Sequence, residues 1–118
     1  MRPAVRLMAV PVLLALGLPP APAAAADLEI VNGSTKAIQH VYLAREGQRK
    51  WGPDRLDGQD AIAPGATRVV AGIDPAVYDA RLSDDADREC HLFHLPIRTA
   101  HRLDLTDAVL EKCTEESH

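Results

Sequence analysis

VYDARLSDDADRECHLFHLPI, residues 77–97, is the stretch that decides the fold. Its first part, Val77 to Leu82, alternates: Tyr78, Ala80 and Leu82 fall on one side, Asp79 and Arg81 on the other. A period of two is the mark of a strand with one buried face. Ser83 to Asp87 is an acidic turn, and Arg88 to Ile97 reads as the returning strand, ending near Pro96. Two such runs joined by a turn predict an antiparallel pair.

The flanking sequence repeats the pattern. Asp27 to Val31 (DLEIV) alternates, Asn32-Gly33 suits a hairpin turn, and Ala37 to Ala44 (AIQHVYLA) reads as its partner strand. That run has two partly apolar faces, Ile38 with Tyr42 and Val41 with Leu43, which predicts a central strand or a bulge. Arg45 to Asp60 is a long polar loop with Trp51-Gly52-Pro53-Asp54 in its middle. Ala61-Ile62-Ala63 is a short strand candidate, Pro64-Gly65 fits the centre of a type II turn, and Thr67 to Ala71 is the next strand. Arg102 to Thr106 alternates again, whereas Asp107 to Cys113 is open between helix and extended chain, so residues 99–118 are not fixed by pattern. No segment carries a sustained helical period and there is no internal repeat. The expectation is an all-β domain: a small antiparallel β-sandwich, immunoglobulin-like or similar, of six or seven short strands.

The first 26 residues are of another kind. Arg2 and Arg6 precede an uncharged apolar run, Leu7 to Leu18, and a small-residue tail that ends in Ala24-Ala25-Ala26. Positive end, apolar run and small residues in that order are what a signal peptidase recognises. The run is about 12 residues, short of the roughly 20 that cross a bilayer. Residues 1–26 are therefore expected to be a signal peptide and residues 27–118 the exported domain, periplasmic or secreted, with no membrane anchor after cleavage. No cysteine follows the apolar run and no Arg-Arg pair precedes it, which argues against lipidation and twin-arginine export. Removing Arg2 and Arg6 from a chain of net charge −4 leaves −6. An acidic domain whose aromatics are Tyr42, Trp51, Tyr78 and Phe93 lacks the basic stacking surface that nucleic acid needs.

The order of these features resembles that of a group of short exported proteobacterial proteins with a small β-sandwich domain. The likeness runs from Val31 to about Asp87 and rests on a strand ending in Asn32, then Ile38-x-x-Val41-Tyr42-Leu43, Trp51-Gly52-Pro53-Asp54-x-Leu56, Ile62-x-Pro64-Gly65 and Tyr78-Asp79-Ala80-Arg81. The resemblance implies export and a β fold and adds nothing on chemistry. Members often carry a cysteine just before the Tyr-Asp pair; Ala76-Val77 stand there in this chain, so the resemblance assigns no disulfide.

Candidate chemistry is sparse. In an oxidising compartment Cys90 and Cys113 are expected to pair, closing a loop of about twenty residues and adding ~3 kcal/mol. The competing readings are two free thiols and a zinc or copper site from Cys90, His94, His101 and Cys113, in which Cys90 and His94 share one strand face while His91 and His94 oppose each other. Carboxylates at Asp84, Asp85, Asp87 and Glu89 resemble a calcium loop but lack its glycine. Ser34, Ser83 and Ser117 lie in no nucleophile motif, and a combination of His40 with an Asp and a Ser can be named in almost any sequence, so no catalytic residue is assigned. Trp51, Pro53 and Asp54 form a candidate interaction loop; Trp51 is expected either to fold back as a plug over one end of the sandwich or to anchor a partner. The best reading is a non-enzymatic module, without a cofactor, that binds another exported protein; the alternatives are a Cys/His metal module and a small hydrolase.

Overall fold

The computed structural model describes residues 24–48 and 50–116; the expected signal peptide lies outside them except for Ala24–Ala26. Six strands and one helix follow in chain order: β1 (Ala26–Asn32), β2 (Ile38–Arg45), β3 (Thr67–Ile73), β4 (Ala76–Asp84), β5 (Glu89–Ile97), β6 (Ala100–Leu105) and α1 (Asp107–Glu116). The alternation of β4 is realised as expected, with Tyr78, Ala80, Leu82 and Asp84 buried. β4 returns into β5 through the turn after Asp84 and pairs with it antiparallel. The buried Asp84 carboxylate closes that turn, accepting the amides of Ala86 and Arg88 at 2.8 and 3.0 Å and the Arg88 guanidinium at 3.1 Å. Those oxygens are engaged by the turn itself.

The phase of β5 departs from the expectation. Cys90 and, less fully, Leu92 point inward, then Phe93 and His94 are both exposed, then Leu95 and Ile97 point inward. The ladder slips between Tyr78 and Ala80, and His94 takes a left-handed φ of 58°. A bulge inserts one residue and reverses the side on which later side chains fall. His91 and His94 therefore share the outer face instead of opposing each other, and Cys90 and His94 do not share a face.

The strands form two three-stranded sheets, β3-β1-β6 and β2-β4-β5. β1 pairs antiparallel with β3 but parallel with β6. The expected β1–β2 hairpin does not form, because Asn32 carries the chain from one sheet to the other. Its buried side-chain amide donates to the carbonyls of Lys36 and Ile62 at 2.7 and 2.8 Å, and its oxygen accepts the Ser34 amide and hydroxyl. Every polar atom that side chain takes from water is thereby repaired. At Gly33 a Cβ would sit 3.2 Å from the Leu105 carbonyl, which the Gly33 amide itself approaches to 2.7 Å. The bulge expected in β2 is present, as a slip between Ile38 and His40 that lets Ile38, Val41 and Leu43 all face inward. Gly65, at φ 84°, takes the left-handed position of the expected type II turn.

Leu28, Ile30, Val70, Leu103 and Leu105 from one sheet and Val41, Leu43, Leu82, Leu95 and Ile97 from the other make one core. Each is worth about 1.5–3 kcal/mol of transfer free energy when fully buried. The region after β2 closes the side of this sandwich. Ile62 contributes an isolated bridge to Ile38 rather than a strand. Amides of Gly52 and Arg55 bond the Leu43 and Val41 carbonyls, and Ile38 and Ile62 exchange amide hydrogen bonds. The open edge of β2 is thus covered, as exposed strand edges in native proteins usually are. The 99–113 region resolves into β6 and α1; α1 packs on β5 and is tied to it by the Cys90–Cys113 disulfide, with 4.9 Å between the Cα atoms.

Candidate functional site

The outer face of the β2-β4-β5 sheet carries the most concentrated recognition chemistry. Register sets Tyr42, Arg81 and His91 side by side across three strands. The Arg81 guanidinium lies 4.5 Å from the centre of the Tyr42 ring and 5.5 Å from that of Trp51. Trp51 in turn sits 5.8 Å from the His91 ring, and His91 meets Phe93 edge-on at 6.3 Å. His40 stacks on Tyr42 at 6.1 Å, extending the strip along the edge strand β2. Phe93 is 52% exposed, a large apolar side chain on a face that does not enter the core.

This face is shaped as well as aromatic. Gly47, Gln48, Trp51, Asp79, His91 and Phe93 line a depression of about 400 Å³. The β5 bulge forms its rim: Asp79 accepts the His94 amide at 3.3 Å and Glu46 lies 3.0 Å from His94 Nδ1. Among the described residues, Arg81 Nε and His91 Nε2 are buried without a hydrogen-bond partner, the nearest acid to His91 Nε2 being Glu89 at 3.7 Å. A guanidinium held between two rings is attracted by their π faces, worth about 0.5–1 kcal/mol per contact when exposed. It is also pre-positioned, so little side-chain freedom is left to lose on binding.

The residues named from sequence fare unequally. Trp51 is half-buried on this outer face and is not a plug over the end of the sandwich; Leu56, 1% exposed, enters the core from the same loop. Pro53 is exposed. Asp54 is a fastener, accepting the amides of Val41 and Leu56 and lying 2.7 Å from His40 Nδ1. Partial burial pushes its carboxyl up, but the His40 and backbone hydrogen bonds outweigh this and hold it below the ordinary aspartate range. The Cys/His metal set is not assembled: Cys90 and Cys113 are bonded to each other, His94 is on the outer face, and His101 is on the other sheet. Among the described residues no group of three or more His, Cys, Asp or Glu is placed to hold a metal ion. His40 and Asp54 make a dyad, and Ser83 stands opposite His40 in the ladder, but no hydrogen bond joins that serine to the imidazole. Ser34 is buried on Asn32.

Tyr42, Arg81, His91 and Phe93 were not singled out as a site by the sequence. Their signal was the polar side of each alternating run, whose assembly depends on register. No known family's sequence pattern matches the chain. No curated protein matches it either. An NMR structure of a protein from Eubacterium rectale is similar to it at 5% identity with a TM-score of 0.49, covering 70% of this chain and 77% of that one.

Proposed function

We propose that this is an exported, non-enzymatic β-sandwich module that binds another exported protein through the outer face of the β2-β4-β5 sheet. The observation that carries the reading is the registered row Tyr42–Arg81–His91, overlain by Trp51 and bordered by the exposed Phe93. Trp, Tyr and Arg are the side chains that dominate protein interfaces when they cluster at a patch centre. The disulfide is compatible with an oxidising, exported location, in line with the leader expected at residues 1–26.

The test is site-specific photo-crosslinking in the exported fraction of the native cell. A crosslinker at Phe93 is expected to give one discrete adduct, while one at Asp104, exposed on β6 of the other sheet, gives none. Arg81→Ala and Trp51→Ala are expected to abolish the Phe93 adduct in protein that still unfolds cooperatively. An adduct pattern that is the same from both positions, or that survives both substitutions, overturns the reading.

A further inference from the structure

The strand edges of the sandwich are not treated alike. The edge of β2 is sealed by residues 52–62, and β5 is backed by α1 and the disulfide. β6 carries Arg102 and Asp104, paired to each other at 3.0 Å, so its surface is charged. β3 pairs with β1 and with no other strand. Its Thr67, Val69 and Ala71 are exposed, Val69 by 53%, and Arg68 is the one charge it carries. A strand that pairs on one side only, and whose single charge is tied to Gln59 and Asp60, is a template for another strand.

Beside that edge runs a groove of about 410 Å³. One wall is β3 itself, through Arg68, Val69, Val70 and Ala71; the other is the loop, through Pro53, Asp54, Arg55, Asp57 and Gln59. Arg68 braces the two walls, donating to Gln59 and to the Asp60 carbonyl. Asp54 is already engaged with His40 and two amides. Arg55 is different: it lines the groove and, among the described residues, makes no ion pair, and its buried Nε has no hydrogen-bond partner. We infer that this groove is a strand-addition site for an extended segment of a partner protein that brings a carboxylate to Arg55. The backbone of β3 supplies the pairing, the exposed Val69 and Ala71 favour small apolar side chains, and the guanidinium selects an acid at one position. Asp57, exposed on the same wall, disfavours a second acid nearby. A second copy of this chain is a poorer occupant. The β3 of a second copy, Thr67–Ile73, carries no acid to offer Arg55.

The site is separate from the aromatic face and is tested separately. The probe is the peptide acetyl-Thr-Val-Glu-Val-Thr-amide, titrated into uniformly ¹⁵N-labelled protein. Amide shifts are expected along Thr67 to Ala71, with slowed hydrogen exchange there, and not at Tyr42 or His91. The peptide with Gln in place of Glu is expected to bind about tenfold more weakly, the difference between a charged and a neutral hydrogen-bond partner. Arg55→Gln is expected to erase that preference, and a peptide N-methylated at alternate amides is expected not to bind. No β3 shift at millimolar peptide, equal binding of the Glu and Gln peptides, or equal binding of the N-methylated one overturns the proposal. So does a concentration-dependent dimer in sedimentation that Val69→Lys dissolves, which assigns the edge to self-pairing.

Discussion

Asp54 and His40 meet at 2.7 Å across the open side of β2, and the second oxygen of the same carboxylate holds the Val41 and Leu56 amides at 3.1 and 3.0 Å. One side chain therefore fastens the long loop to the strand it covers. Asp54→Ala leaves those amides without an acceptor and is expected to cost about 1–3 kcal/mol. The pH dependence follows from the lowered carboxyl. A folded-state value below the unfolded one, about 3.9, means the contribution is present above that pH and is lost as pH falls through the folded value. Urea unfolding at several pH values is expected to show wild type and Asp54→Asn converging in acid and diverging toward neutrality. A constant gap at all pH values contradicts the assignment.

Leu56, not Trp51, is the residue of the long loop that plugs the core. Leu56 is 1% exposed within the core, whereas Trp51 is half-buried on the outer face. Leu56→Ala is expected to cost about 2–5 kcal/mol, as for other large-to-small core changes. Trp51→Ala is expected to cost about 1 kcal/mol, the loss of ring contacts on a solvated surface. Equilibrium denaturation of both variants checks the order. A larger loss for Trp51→Ala reverses it.

What the sequence revealed, and what it hid, follows from the range of the forces involved. The alternation of Val77 to Leu82 is a local property and correctly located the inward face of β4. Asn32-Gly33 is also local, and by local rules it is a hairpin turn. The outcome is decided instead by the Ile62 carbonyl, thirty positions away, which the buried Asn32 amide reaches at 2.8 Å. The β5 bulge was hidden because Phe93 and His94 are both compatible with exposure, so nothing in the pattern marks the slip. For the site, Trp51 stood out as a large aromatic in a Gly/Pro loop. Arg81 did not, since a polar residue on the outward side of a strand means nothing until register brings Tyr42 and His91 beside it.

His94 holds the bulge in a left-handed conformation, φ 58°. For a residue with a Cβ this costs about 1–2 kcal/mol, and a β-branched side chain makes it worse. Its exposed contact with Glu46 returns little, about 0–1 kcal/mol. His94→Gly is accordingly expected to leave stability unchanged or raise it by up to about 1 kcal/mol, and His94→Val to lower it by more than 1 kcal/mol. Thermal unfolding of the pair, run side by side, is sufficient. Equal stability of Gly and Val at this position removes the backbone argument.

Ala26 is fully buried and opens β1 opposite Ile73, one residue before the expected start at Asp27. The fold therefore makes use of the last residue of the small-residue tail. If the proposed leader is cleaved, the mature chain is expected to begin at or before Ala26, and the Ala21-Pro22-Ala23 match allows cleavage that leaves Ala24 first. A chain made to start at Asp27 is expected to be about 1–2 kcal/mol less stable than one starting at Ala24, from the lost methyl burial and strand pairing. N-terminal sequencing of exported protein decides the first point: Met1 there contradicts processing altogether.

Cys90 and Cys113 join the edge strand β5 to the helix that covers it. α1 packs on β5 through Leu110, Cys113 and the half-buried Val109, a small apolar surface for a terminal helix. A helix of ten residues is not stable alone in water, so its place depends on that contact and on the bond. The crosslink spans 23 positions and is expected to contribute ~3 kcal/mol, chiefly by restricting the unfolded chain. Reduction should lower the unfolding midpoint by that measure. Cys90→Ser should lower it equally and then show no response to reductant. Native exchange at Val109 and Leu110 should rise before exchange in β4, because α1 comes loose first when the tie is cut. A thiol count on unfolded, unreduced protein gives the decisive reading: none is expected, and two would show that the bond does not form in the exported chain.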